Sequence, residues 1–222
     1  MNFDVKYMLG LFPSLLEYLP LVLYITLLAF LFAILLGMVF TWIISNKTNI
    51  IYPILLVIIS YFRGTPSLIQ IFVFYFGMPQ LFPSMNSMDA VTAVIIALSL
   101  RNAAYLSEVF RSALASVDKG QAEAALSVGM TRWQAIRRIV LPQAARTAIP
   151  PTGNYFIMIF KETSLAFTIG VTDMLGQAKL EAAVTYKFLE AFLAVGFIYW
   201  IVTAIFSSIQ SRIEWRMEKP YR

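Results

Sequence analysis

Hydrophobic positions in this chain fall into long unbroken runs, with neither the period of a strand nor the one-sided stripe of a surface helix. The run from Tyr18 to Ile44 contains no Asp, Glu, Lys or Arg. An apolar run of this length reads as a membrane-crossing helix, because roughly 20 residues span a bilayer core. Four further runs follow, giving predicted spans at about 18–44, 52–76, 90–114, 148–171 and 188–209. The second is interrupted by Arg63-Gly64-Thr65-Pro66, the third carries Arg101 and Glu108, and the fourth is interrupted by Lys161-Glu162-Thr163-Ser164. Between the runs lie SNKTN, the Pro- and Met-containing GMPQLFPSMNSMD, a long central segment, and the polar connection TDMLGQAKLEAAVTYK. The tail SRIEWRMEKPYR is short and charged. The pattern predicts an all-α polytopic membrane protein with five transmembrane helices, forming a single transmembrane domain over residues 1–222. The head MNFDVKYMLG lacks a strongly basic region, and the first apolar run is too long for a signal peptide, so it reads as a retained helix.

Composition agrees with lipid as solvent. Hydrophobic residues make up 59% and charged residues 13% of the 222, against about a quarter charged in soluble domains. With no cysteine and no histidine, disulfides, Cys nucleophiles, His-based triads and His-containing metal sites are excluded. No nucleophile–base constellation is visible, so the chain reads as non-enzymatic, with no catalytic residue and no metal ligand. The net charge is +5, but placement matters more than the sum. Lys47, Arg111, Lys119, Arg132, Arg137, Arg138, Arg146, Arg212, Arg216, Lys219 and Arg222 fall in the loop after the first run, the central segment and the tail, and make up eleven of the seventeen basic residues. The positive-inside bias predicts an outside N-terminus and a cytoplasmic C-terminus, with the central segment also cytoplasmic. The basic residues form no single face, which argues against nucleic acid as a partner.

The central segment, 120–143, is the one long charged amphipathic piece, and EAALSVGMTRWQAIRRIVLP lies within it. Gly129 stands where a C-cap glycine ends a helix. Thr131 with Gln134 fits a capping box for a second helix, predicted over about Arg132 to Val140 and stopping before Pro142. Helix, sharp turn, helix is the shape of a docking element, with Ala124 and Ala125 as a thin face and Glu123 and Arg137 as polar rim contacts. An amphipathic pair lying on anionic headgroups has the same pattern.

The spacing Glu123, Ala124, Ala125, Gly129, Ile139, Leu141 and Pro142 resembles the EAA signature of the membrane subunits of bacterial ABC importers. FRGTPSLIQIF, RNAAYLSEVFRSAL and KETSL look like the polar amino acid branch of that family, over about residues 15 to 215. The resemblance implies the permease fold of type I ABC importers, located in the bacterial cytoplasmic membrane. It implies that the EAA residues couple to a separate ABC ATPase dimer, which binds ATP and Mg while this chain binds no cofactor. It further implies a second permease chain, identical or related, an extracytoplasmic substrate-binding protein, and an imported amino acid, with cystine as one candidate. Independently, no G-x-x-x-x-G-K-[ST] phosphate loop occurs in the sequence. A secondary amino acid carrier, or a membrane scaffold docking a cytoplasmic partner, is the alternative class.

Ionisable residues at bilayer depth cost about 2.5 to 3.5 kcal/mol each by insertion scales, so they mark a cavity or pair with one another. Arg63 and Thr65 sit at a predicted break in the second run. Arg101, Asn102 and Tyr105 lie mid-run on the third, and Lys161, Glu162, Thr163 and Ser164 interrupt the fourth. These nine are the candidate substrate-binding residues. An Arg would meet a carboxylate and an acid or hydroxyl an ammonium. Alternatively, Arg63, Arg101 and Lys161 pair with Glu108 and Glu162 and lock the bundle.

Overall fold

The computed structural model describes residues 3–47 and 50–218, and every regular element among them is helical. The helices are α1 (Val5–Gly10), α2 (Phe12–Leu16), α3 (Leu19–Asn46), α4 (Ile51–Gly64), α5 (Ser67–Phe72), α6 (Met78–Leu81), α7 (Ala90–Ala115), α8 (Lys119–Ser127), α9 (Arg132–Ala135), α10 (Leu141–Glu162), α11 (Met174–Thr185) and α12 (Phe188–Glu218). Three of them, α3, α7 and α12, are long and apolar enough to cross a membrane alone. Two bent pairs raise the number of spans to five if each pair is one crossing.

The centre of the bundle is the parallel pair α3–α7. Along α3, Ala29, Ala33, Gly37 and Thr41 recur every fourth residue, and all are buried. A Cβ at Gly37 would stand 3.1 Å from Leu106 Cβ, so the absent side chain is what lets the two helices approach. Small residues at this spacing replace the missing hydrophobic drive in lipid with close van der Waals contact. Hydrogen bonds follow the same seam: Ser99 Oγ donates to Ala29 O at 3.3 Å and Thr41 Oγ1 to Ser107 O at 3.1 Å. α10 runs antiparallel to α3, with Phe30 edge-on to Phe156. α12 in turn runs antiparallel to α10, with Phe160 against Tyr199 and Gln210 Nε2 donating to Pro150 O. These directions put Lys47, the 119–140 hairpin and the C-terminal half of α12 at one end of the bundle. The tail residues Lys219 and Arg222 lie outside the described residues.

Three expectations need correction. The helix that starts at Arg132 does not stop before Pro142. It passes through a π-helical stretch, Ile136–Val140, into α10. Leu141 N–H reaches back to Ile136 O, and Pro142 then falls in the first turn of an α-helix, where its missing N–H removes no bond. The fourth span is therefore entered by a helix that began outside it. The stretch expected to be a polar connection after that span is largely α11, capped by Asp173 and bent 51° from the preceding helix. Met174, Ala178 and Ala182 are buried one turn apart, so small size rather than hydropathy drives the packing. Thirdly, the last helix does not end at about 209: α12 continues to Glu218, so residues 211–218 of the charged tail are helical.

At the opposite end Asp4 caps α1 and accepts a 2.6 Å hydrogen bond from Lys187 Nζ, tying the N-terminal helices to the start of α12. The Lys187 hydrogen bond, then the Tyr7 backbone N–H, holds the Asp4 carboxyl below its ordinary 3.8, and the same bond raises Lys187 above its ordinary 10.5. The carboxylate's contribution is complete above 3.8 and fades as pH falls through its lowered folded value. The ammonium's is complete below 10.5 and fades as pH rises through its raised folded value. Lys187→Met is expected to move the Asp4 titration upward toward the ordinary carboxylate range, read from its ¹³C carboxyl shift.

Candidate functional site

The site grows from one proline. In α4, Phe62 O would normally accept from the N–H of residue 66, which is Pro66 and has none. The residue before a proline is pushed out of the α region, and Thr65 is extended at φ −112°, ψ 148°. The chain turns through 116° between Ile51–Gly64 and Ser67–Leu81. Freed carbonyls at membrane depth must find donors within the protein. Gln70 Nε2 donates to Phe62 O at 2.9 Å and to Thr65 O at 3.1 Å, and Arg101 Nη1 to Thr65 O at 3.1 Å and Phe62 O at 3.4 Å. Arg101 projects from the middle of α7, so its guanidinium substitutes for the missing backbone donor.

The remaining charges pair around it. Arg101 Nε lies 3.4 Å from Glu162 Oε1 at the C-terminus of α10, with the two side chains 14% and 16% exposed. Ser67 Oγ, at the start of the helix after the break, donates to the same Oε1 at 3.4 Å. Arg63 lies 3.6 Å from Glu108, which Arg111 also grips at 2.7 Å. Tyr105 stands between the two arginines. Arg101 and Arg63 lie over its ring at 5.3 and 5.7 Å, and its hydroxyl donates to Arg63 O at 3.1 Å. Tyr105 in turn stacks on Tyr155 of α10 at 6.0 Å.

Beside this cluster lies a cavity of about 360 Å³ lined by Arg101, Tyr105, Pro151, Asn154, Tyr155 and Met158. Its α10 wall has the spacing i, i+3, i+4, i+7, one face of a helix, and Glu162 lies one turn beyond Met158 on that face. Glu162 Oε2 and Arg101 Nε are both buried and have no hydrogen-bond partner.

Of the predicted substrate-site residues, the structure brings Arg63, Thr65, Arg101, Tyr105 and Glu162 together. Asn102 points elsewhere: it is fully buried and donates to Leu98 O. Thr163 and Ser164 donate to their own helix, at Phe160 O and Lys161 O, and Lys161 is exposed. Sequence reasoning missed Gln70, Asn154, Tyr155 and Met158. Gln70 was visible as the one amide in SLIQIF, and Asn154 and Tyr155 as polar positions in the fourth span.

The second region is the hairpin at the basic end. Asp118 caps α8, which ends in a Schellman turn: Met130 N–H reaches Ala125 O, Gly129 N–H reaches Leu126 O, and Gly129 is left-handed at φ +85°. Thr131 and Gln134 then form the capping box that opens α9. Glu123 and Ala124 are exposed, whereas Ala125 is 6% exposed and faces inward, so the alanine pair is split rather than forming one thin face. Leu126, Val128, Trp133 and Ile136 are exposed alongside Arg132, Arg137 and Arg138. Ile139 is half-buried, and Leu141 and Pro142 are exposed where the hairpin joins α10.

The fold is a helical bundle with a cavity beside paired charges and a capped hairpin at one end, the form of a polytopic membrane protein. Residues 29–219 match the family model described as the binding-protein-dependent transport system inner membrane component, and the chain belongs to that family of ABC-transporter permeases. It is 52% identical to the probable amino-acid permease protein YxeN of Bacillus subtilis (strain 168), over 99% of this chain and 98% of that protein. Identity to the L-cystine transport system permease protein TcyL of the same organism is 38%, over 98% of this chain and 92% of that protein. The structure of an amino acid ABC transporter with histidines superposes with a TM-score of 0.88 at 34% identity, covering 97% of this chain and all of that one. The chain is accordingly a multi-pass inner-membrane protein.

Proposed function

We propose that this chain is the membrane-spanning subunit of an ATP-driven amino acid importer. It forms the translocation path together with a second permease chain. The hairpin docks on a separate ATPase dimer that holds ATP and Mg. A binding protein outside the membrane delivers the amino acid, and cystine is one candidate substrate. In this reading the N-terminus is outside and the C-terminus cytoplasmic, which the collection of Lys47, the hairpin arginines and the end of α12 at one end of the bundle supports. Arg63, Thr65, Arg101, Tyr105 and Glu162 shape the substrate site, while Glu123, Ala124, Ala125, Gly129, Ile139, Leu141 and Pro142 form the coupling element.

The observation that carries this reading is the hairpin. Its turn and caps are built by local hydrogen bonds, yet Val128 is 76% and Trp133 64% exposed at the charged end of the bundle. A rigid element presenting apolar side chains beside basic ones is a surface awaiting a protein groove. Coupling requires only that the ATPase dock differently in its two nucleotide states. Gentle detergent extraction from native membranes, followed by mass spectrometry, is expected to recover a P-loop ATPase with this chain. Recovery of the chain alone, still transporting after reconstitution, would refute the proposal.

A further inference from the structure

We infer that the cleft between α3 and α10 is a binding site for an anionic phospholipid, one acyl chain lying in the cleft and the phosphate on basic residues at its mouth. The cleft has a volume of about 570 Å³ and shares no lining residue with the cavity beside Arg101.

Its walls suit hydrocarbon. α3 contributes Ile34, Met38, Thr41 and Ser45, and α10 contributes Leu141 and Ala148. No charged side chain lines it among the described residues. The hydroxyls inside are engaged by the protein's own carbonyls: Thr41 Oγ1 donates to Gly37 O and Ser107 O, and Thr152 Oγ1 donates to Ala148 O. An empty apolar cleft leaves its lining without van der Waals partners, and a hydrocarbon chain supplies them.

Length and width choose a lipid tail over a helix. Ser45 lies at the end of α3 and Ile34 near its middle. The two are separated by about 16 Å at 1.5 Å rise per residue. Half of a bilayer core of about 30 Å is nearly the same length, so the cleft has the depth of one leaflet. Over that length about 570 Å³ corresponds to a cross-section of roughly 35 Å². A helix about 10 Å across needs roughly 80 Å². The floor residues Thr41, Ala113 and Ala144 are 5%, 2% and 5% exposed, too deep for a neighbouring helix but within reach of a hydrocarbon chain.

The mouth selects the headgroup. Trp42 lines the cleft there and is 64% exposed, the placement of an indole at headgroup level. Lys47 follows Ser45 by two residues, and Arg137 and Arg138 stand one turn before Leu141; all three are exposed. Across residues 116–147 the basic residues are Lys119, Arg132, Arg137, Arg138 and Arg146, and the acids are Asp118 and Glu123. Glu108, near the mouth on α7, is already held by Arg63 and Arg111. The surplus is positive, so a phosphate without an attached cation is the complement, and a zwitterionic headgroup brings a cation that these residues repel.

The test offers the full-length chain, purified in mild detergent, equal amounts of phosphatidylglycerol and phosphatidylcholine with identical acyl chains. Bound lipid is counted by native mass spectrometry. Phosphatidylglycerol is expected to be retained at least tenfold over phosphatidylcholine. Changing Lys47→Gln, Arg137→Gln and Arg138→Gln together is expected to bring that preference close to one. Ala148→Phe, which fills the cleft, is expected to remove the retained lipid of either kind. Position is checked in native membranes with benzoylphenylalanine placed at Met38 inside the cleft, or at Leu35, which is 55% exposed and does not line it. Irradiation is expected to give phosphatidylglycerol adducts at Met38, enriched over those at Leu35. Equal retention of the two lipids, unchanged retention in Ala148→Phe, or equal adducts at the two positions would each overturn the inference. A protein–protein cross-link from Met38 would also overturn it and make the cleft an interface with another chain. If Ala148→Phe does not fold, the Met38 and Leu35 pair decides alone.

Discussion

Glu123→Lys is expected to reduce transport at least tenfold while the chain still inserts at its normal level, because a charge reversal in a docked rim acts on association and not on folding. Glu123 is exposed and lies at the open surface of α8, and its side chain takes part in none of the hairpin's own hydrogen bonds. Gly129→Asp is expected to give the same phenotype by another route. A Cβ at Gly129 meets nothing within 4 Å, so the penalty is not a clash. It is the left-handed backbone at φ +85°, which costs a side-chain-bearing residue about 1–2 kcal/mol and re-aims α9 relative to α8. Membrane abundance by immunoblot, ATPase capture and transport should be measured together. Normal abundance with lost capture is the expected pattern. Wild-type transport in either variant would show that the hairpin is not the coupling element.

Arg101→Met is expected to destabilise the bundle by about 3 kcal/mol, since removing one member of a buried pair strands the other charge. Glu162 would keep only the 3.4 Å contact from Ser67 for a carboxylate that is 16% exposed. Phe62 O and Thr65 O would fall back on Gln70 alone. The double variant Arg101→Met, Glu162→Met should recover more than half of that loss, because no stranded charge remains. It should not recover all of it, because the carbonyls at the break still lack their second donor. Unfolding of the four proteins of this cycle in one detergent supplies the coupling energy. If the double variant is as unstable as the sum of the singles, Arg101 serves the helix break and the ion pair is incidental.

The pairing explains why charge placement could be read from the sequence only in part. Arg63, Arg101, Glu108 and Glu162 stand out in any hydropathy reading, since each interrupts an apolar run. Which acid meets which base does not follow from the runs. Arg101 and Glu108 are two turns apart on one helix, yet Arg101 turns to Glu162 and Glu108 to Arg63 and Arg111. The choice goes with the 116° bend, at which the carbonyls of residues 62 and 65 meet Arg101 while Arg63 lies over the Tyr105 ring, 3.6 Å from Glu108.

The sequence by itself determined the membrane class, the helical content, the basic end of the bundle and the hairpin's turn. These depend on local physics: the length of apolar runs, the deficit of charge in them, a glycine that tolerates positive φ, and a threonine three residues before a glutamine. Tertiary structure alone decided three other things. Helix α10 continues through Pro142, because a π turn places the proline where no donor is needed. Residues 174–185 are a packed helix rather than a connection, because alanine and glycine bury well against neighbours that only the fold supplies. The carbonyl orphaned by Pro66 is answered by Arg101 from α7, at a distance along the chain that no local pattern encodes.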